Sequence, residues 1–145
     1  MSEVAYIINN ATKNSLVILD EVGRGTSTFD GISIAWSIVD YLNNKTQCKS
    51  LVATHYHILN KMEEIYAGIN NFHVTAKEEG DSLHFYHKLQ KGGINKSYGL
   101  QVARLAGINK EIIEKAQVIQ RDLENDSFLK TPGKIIKSSL NQKDD

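Results

Sequence analysis

The sequence predicts an α/β fold: a short parallel sheet flanked by helices, then an antiparallel hairpin and a C-terminal pair of helices. Three observations predict it. Two continuous apolar runs, residues 16–19 and 51–53, are too short for helices and enclose a helical pattern. Phe72, Val74 and Ala76, then Leu83 and Phe85, alternate with polar residues on either side of Glu78-Glu79-Gly80-Asp81, the pattern of a hairpin with a Gly-containing turn. Near the end, Ile112, Ala116, Ile119 and Leu123 recur at helical spacing.

Each element follows in order. Val4, Ile7, Ile8 and Ala11 form one face of a short amphipathic helix, which stops in Thr12-Lys13-Asn14-Ser15. Leu16-Val17-Ile18-Leu19 reads as a strand buried on both faces, the parallel-sheet type, and Asp20 and Glu21 end it. Gly23, Arg24, Gly25, Thr26, Ser27 and Thr28 make a loop by composition. A helix then runs from about Thr28 or Asp30 to Asn43. Its apolar set of Ile32, Ile34, Ala35, Trp36, Ile38, Val39, Tyr41 and Leu42 nearly encircles it, so it is expected to be mostly buried. Leu51-Val52-Ala53 is a second buried strand, ended by Thr54-His55-Tyr56-His57. Strand, helix and strand together predict a right-handed parallel crossover.

After the hairpin, Lys91-Gly92-Gly93 leads to a short helix near residues 100–106. Gly107-Ile108-Asn109 is a turn with Asn109 as N-cap, and a longer helix spans about 110–125. Beyond Phe128 the chain is polar and dotted with lysine, with Pro132-Gly133, so residues 130–145 read as a linker or disordered tail.

The bulk composition narrows the function. With 145 residues and 41% apolar content, the chain holds one domain or a piece of a larger one. Lys plus Arg total 17 and Asp plus Glu total 17, which argues against a DNA-gripping surface spread over the whole chain. The single cysteine, Cys48, cannot form an internal disulfide, which fits a reducing compartment. No run reaches the ~20 apolar residues of a membrane span. Met1-Ser2-Glu3-Val4-Ala5 has no basic leader character. The expectation is a soluble cytoplasmic protein without a membrane partner.

Chemistry enters where the first strand ends. Four apolar residues followed by Asp20-Glu21 form the Walker B pattern. Ligands of parallel sheets bind beyond the strands' carboxyl ends. There the first acid can hold Mg²⁺ and the second can orient or deprotonate water. The same six residues also describe a strand that ends in solvated acids.

The following residues decide between these. The run from Asp20 through Gly23-Arg24-Gly25-Thr26-Ser27-Thr28-Phe29-Asp30-Gly31 to Trp36 resembles the signature segment of the MutS family of DNA mismatch-repair ATPases. It departs at Val22 and Phe29, where Ile and Tyr are common. Ala53-Thr54-His55-Tyr56-His57 resembles the family's switch-histidine segment. Lys96-Ser97-Tyr98-Gly99, continuing to Gly107, resembles the opening of its helix–turn–helix. The resemblance covers about residues 1–125 and points to the mismatch-repair branch.

The resemblance implies a partial P-loop NTPase sheet of the ABC-ATPase type. Residues 1–95 would be the C-terminal half of the ATPase core. Residues 96–128 would be a helix–turn–helix dimerisation segment, and 129–145 a polar tail. The cofactors implied are ATP and Mg²⁺. Asp20 would be the metal ligand, Glu21 the catalytic carboxylate and His55 the γ-phosphate sensor. Gly23, Arg24, Gly25, Thr26, Ser27 and Thr28 would form the loop that crosses a dimer interface.

Partners implied are the N-terminal MutS part or a second MutS-like subunit, and mismatched DNA through the complete protein. The G-x-x-x-x-G-K-[ST] phosphate loop is not in the sequence, since Gly133-Lys134 is followed by Ile135. Nor are the family's mismatch-reading, lever and clamp domains. The expectation is therefore an ATPase part that is inactive alone. The alternative is a non-catalytic dimerisation module or a decayed gene fragment. A neighbouring reading frame with the phosphate loop would favour the first.

Two further readings carry less. A DNA-reading role for the last helix is disfavoured, because its Lys110, Lys115 and Arg121 are outbalanced by Glu111, Glu114, Asp122 and Glu124. His55-x-His57 has zinc-ligand spacing, but no Cys pair accompanies it, and His73, His84 and His87 fall in the hairpin.

Overall fold

The computed structural model describes residues 1–79, 82–95 and 97–125. The Gly80-Asp81 turn, Lys96 and the tail read from residues 130–145 lie outside the described residues. The chain divides into two units, Met1–Asn70 and the part from Asn71 onward.

In the first unit the elements are α1 (Ser2–Asn10), β1 (Leu16–Asp20), α2 (Thr28–Tyr41), β2 (Lys49–Ala53) and α3 (Met62–Ile65). A π-helical turn, Leu42–Thr46, extends α2, and a 3-10 turn, His57–Lys61, precedes α3. β1 and β2 pair in parallel, from Leu16 opposite Lys49 to Asp20 opposite Ala53. The core forms where Val17, Leu19, Val22 and Leu42 meet. The predicted stripe of α1, Val4, Ile7, Ile8 and Ala11, packs against it, as do Ile34, Ile38, Cys48 and Val52.

Two expectations are corrected here. β1 is buried on one face, not two. Val17 and Leu19 are each 4% exposed, whereas Leu16 is 62% and Ile18 65% exposed. β2 shares this, with Leu51 63% exposed. The pleat sends alternate side chains to opposite faces, and the core residues cover only one of them. A continuous apolar run shows that both faces suit burial; it does not supply the second cover. The second correction concerns α2. Its buried residues are Gly31, Ala35 and Trp36, while Ile32, Ile34, Ile38 and Val39 are half-buried and Tyr41 is exposed.

This open face has a measurable consequence. An uncovered apolar sheet face with free edges promotes association. Sedimentation velocity of the 145-residue chain is expected to show concentration-dependent self-association. Ile18→Thr should reduce it while shifting stability by no more than about 0.5 kcal/mol, as surface changes do. A monomer at high concentration would contradict the first part; unchanged association of I18T would contradict the second.

In the second unit, β3 (Phe72–Glu79) and β4 (Ser82–Lys91) form the predicted antiparallel hairpin. The register holds Phe72 opposite Lys91 and Val74 opposite Leu89, then shifts to Ala76 opposite Phe85. β3 thus advances less than β4, and β4 bulges. His87 lies inside the bulge with φ +51°, and Thr75 Oγ1 donates to the Lys88 carbonyl at 3.3 Å. α4 (Gly99–Leu105) and α5 (Lys110–Asn125) follow. Gly107, at φ +87°, lets the chain leave α4 in the left-handed conformation that glycine tolerates. Asn109 caps α5 as predicted, its Oδ1 accepting from the Glu111 N–H at 2.8 Å. Ile113 is buried, whereas Ile112, Ile119 and Leu123 are exposed. No helix among the described residues is long and apolar enough to cross a membrane.

Candidate functional site

The parallel register builds the site. Because Asp20 stands opposite Ala53, the two strands end level. Residues 21 and 54–56 therefore leave the sheet side by side, although they are far apart in sequence. The Glu21 N–H extends the ladder by one bond, to the Ala53 carbonyl at 2.9 Å. Glu21 itself has φ +54°, a left-handed conformation that a residue with a long side chain rarely adopts.

Glu21 and His55, both singled out from the sequence, are brought together. Glu21 Oε2 lies 2.7 Å from His55 Nδ1, a hydrogen bond between carboxylate and imidazole. The same oxygen lies 3.8 Å from Arg24 Nε. The Glu21 side chain is about one-third exposed and that of His55 more than half exposed, so both remain open to a ligand. Asp20 is exposed at the tip of β1. A single carboxylate at such a tip suits Mg²⁺, which keeps waters and shares phosphate oxygens instead of needing a full protein cage. Among the described residues no group of three or more His, Cys, Asp or Glu side chains converges.

The loop of residues 23–28 leaves this point in two left-handed steps, Gly23 at φ +95° and Gly25 at φ +85°. Gly23 is buried; Arg24, Gly25, Thr26, Ser27 and Thr28 are exposed. Ser27 caps α2, its Oγ accepting from the Asp30 N–H at 3.3 Å. Thr26 Oγ1 donates to the Asp30 carboxylate at 3.2 Å. The loop thus has a fixed exit and an exposed crest of hydroxyls and backbone.

Two residues here lie in the segments that carry the resemblance but have no role assigned from the sequence. Tyr56 Oη donates to the Gly23 carbonyl at 3.0 Å. Gly31, in the first turn of α2, touches both: a Cβ there would meet the Tyr56 hydroxyl and come within 2.6 Å of the Gly23 oxygen. The glycine inside a helical pattern is the available signal, since it weakens a helix relative to alanine and calls for a packing or functional reason. Of the other histidines, His73 Nδ1 lies 2.9 Å from the Gly92 carbonyl in the second unit.

Comparison with known proteins gives the family. Residues 1–124 match the family described as MutS domain V. The chain belongs to the MutS family. Among its relatives is the DNA mismatch repair protein MutS of Prochlorococcus marinus (strain AS9601), 54% identical over 129 residues, which are 89% of this chain and 14% of that protein. Another is the DNA mismatch repair protein MutS of Clostridioides difficile (strain 630), 52% identical over 124 residues, 86% of this chain and 13% of the relative. The chain therefore spans about one-seventh of the length of the MutS proteins it matches. The domain V match takes in both described units and every site residue named above.

Proposed function

We propose that this stretch of MutS domain V supplies the water-activating and switch part of an ATPase that couples ATP binding and hydrolysis to recognition of mismatched DNA in a complete protein. The observation that carries it is the Glu21–His55 contact of 2.7 Å at the carboxyl ends of a parallel pair, beside the 23–28 loop. Mg²⁺, bound with ATP, would offset phosphate charge. Asp20 would hold that ion. Glu21 would orient the attacking water and accept its proton, and His55 would sense the terminal phosphate. Gly23, Arg24, Gly25, Thr26, Ser27 and Thr28 would meet a second subunit, with their exposed crest as the contact.

Reconstitution tests this. The 145-residue chain alone is expected not to hydrolyse ATP, because it contains no G-x-x-x-x-G-K-[ST] loop to grip phosphates. Mixed with a polypeptide carrying the phosphate-loop part of a MutS relative, it should restore Mg²⁺-dependent hydrolysis. A well-formed complex without hydrolysis would sink the catalytic reading. Hydrolysis by the chain alone would reveal a different phosphate site.

The second reading is a dimerisation module. It is favoured by the exposed Ile112, Ile119 and Leu123 on α5. In it α4, the turn and α5 act as a helix–turn–helix latch onto another subunit. Ile119→Asp should weaken association in light scattering while circular dichroism stays unchanged, since Ile119 is 49% exposed. Loss of helical signal would place Ile119 in the unit's own core.

A further inference from the structure

The end of β1, the first turn of α2 and the segment after β2 converge on one atom, the Tyr56 hydroxyl. It donates to the carbonyl of Gly23, where the 23–28 loop begins. It presses on Gly31, where α2 begins, leaving no room there for a Cβ. The Tyr56 ring also lies against His55 in a tilted contact, with centroids 4.4 Å apart at 48°. The Tyr56 N–H is itself fixed by Thr54 Oγ1 at 3.0 Å. His55 returns to the start of the circuit through Glu21. Glu21, His55, Tyr56 and Gly23 thus form a closed ring of contacts. His55 is exposed within it, Glu21 and Tyr56 are part-buried, and Gly23 is buried.

A ring of this kind restricts how its members move. If His55 swings toward a ligand, the tilted phenol beside it must follow or lose its contact. If the phenol follows, its hydroxyl pulls on a backbone carbonyl of the loop. Gly23 has no side chain to brace it, and its left-handed φ leaves Gly31 directly beneath. We infer that Tyr56 is a positioning residue that ties His55 to the 23–28 loop, so that displacement of His55 toward a terminal phosphate shifts the loop's exposed crest. The connection from sensor to loop belongs to this chain's own contacts. Only its trigger rests on the reading of His55 given above.

The test needs no nucleotide, so its failure and the failure of the ATPase reading are separate results. In the isotope-labelled 145-residue chain, His55→Ala should move the amide resonances of residues 25–28. In the Tyr56→Phe background, which keeps the ring and removes only the hydroxyl, that movement should largely vanish. Y56F alone should shift the Gly23 carbonyl carbon. It should also speed exchange of the Gly31 amide, which bonds to Ser27, about five-fold, as expected for one lost hydrogen bond. Gly31→Ala, which crowds the same hydroxyl from the helix side, should give the same decoupling and serves if Y56F does not fold. If H55A moves residues 25–28 equally with and without the hydroxyl, the route runs through Glu21 and Arg24 and the proposal is overturned. In a reconstituted ATPase, Y56F should lower kcat about five-fold on the same scale and leave KM nearly unchanged.

Discussion

Glu21→Gln is expected to leave nucleotide binding nearly intact in a reconstituted MutS ATPase and to slow the chemical step by about 10²–10⁴-fold, the usual worth of a positioned base. The change is nearly isosteric. It leaves Asp20 at the strand tip, where it would hold the proposed metal, and an amide can still meet His55 Nδ1, 2.7 Å from the present carboxylate oxygen. What is lost is basicity, because an amide oxygen is a far poorer proton acceptor than a carboxylate. Single-turnover hydrolysis reads the chemical step, and nucleotide titration reads binding. Hydrolysis at the unmutated rate would remove Glu21 from the catalytic role. Loss of binding alone would make it part of the nucleotide cradle instead.

Leu42→Ala is expected to have the largest effect on folding. Leu42 is 0% exposed and lies at the centre of the cluster with Val17, Leu19 and Val22. Removing a buried leucine side chain costs about 2–5 kcal/mol, through lost burial and the cavity left behind. Whole domains hold only about 5–15 kcal/mol in reserve. This unit leaves one sheet face uncovered and should sit near the lower end of that range. Urea unfolding followed by the fluorescence of Trp36, the single tryptophan, should show the transition moved far toward zero denaturant or lost. An unchanged midpoint would show that Leu42 is not the keystone its burial indicates.

Much of this was legible in the sequence because it is local. Leu16-Val17-Ile18-Leu19 and Leu51-Val52-Ala53 specify strands by length and composition. Asn109 specifies a helix start because its side chain reaches a backbone N–H two residues on. Glu21 could be nominated because it follows the apolar run of β1, and His55 because its segment resembles the switch-histidine segment of the MutS family. The missing parts depend on partners distant in sequence. Whether Ile18 is covered depends on what lies over the sheet, and strand composition does not encode that. The bulge at His87 depends on how β4 registers against β3. The Tyr56–Gly23 bond joins residues 33 apart, and the phenol in Thr54-His55-Tyr56-His57 gives no local sign of it. Gly31 stands out as a glycine in a helical pattern, but the sequence does not show which partner needs its missing side chain.

Under the role proposed for Glu21, its backbone sets folding and chemistry against each other. A left-handed conformation at φ +54° suits glycine or asparagine; for other residues it costs of order 1–3 kcal/mol. Position 21 therefore carries a side chain that its own dihedral angle disfavours. A library of variants sorted only for heat resistance would be expected to drift there toward Gly or Asn. Each such gain would remove the carboxylate that faces His55, so under the role proposed for Glu21 the hardiest survivors of that screen would be the ones least able to activate water.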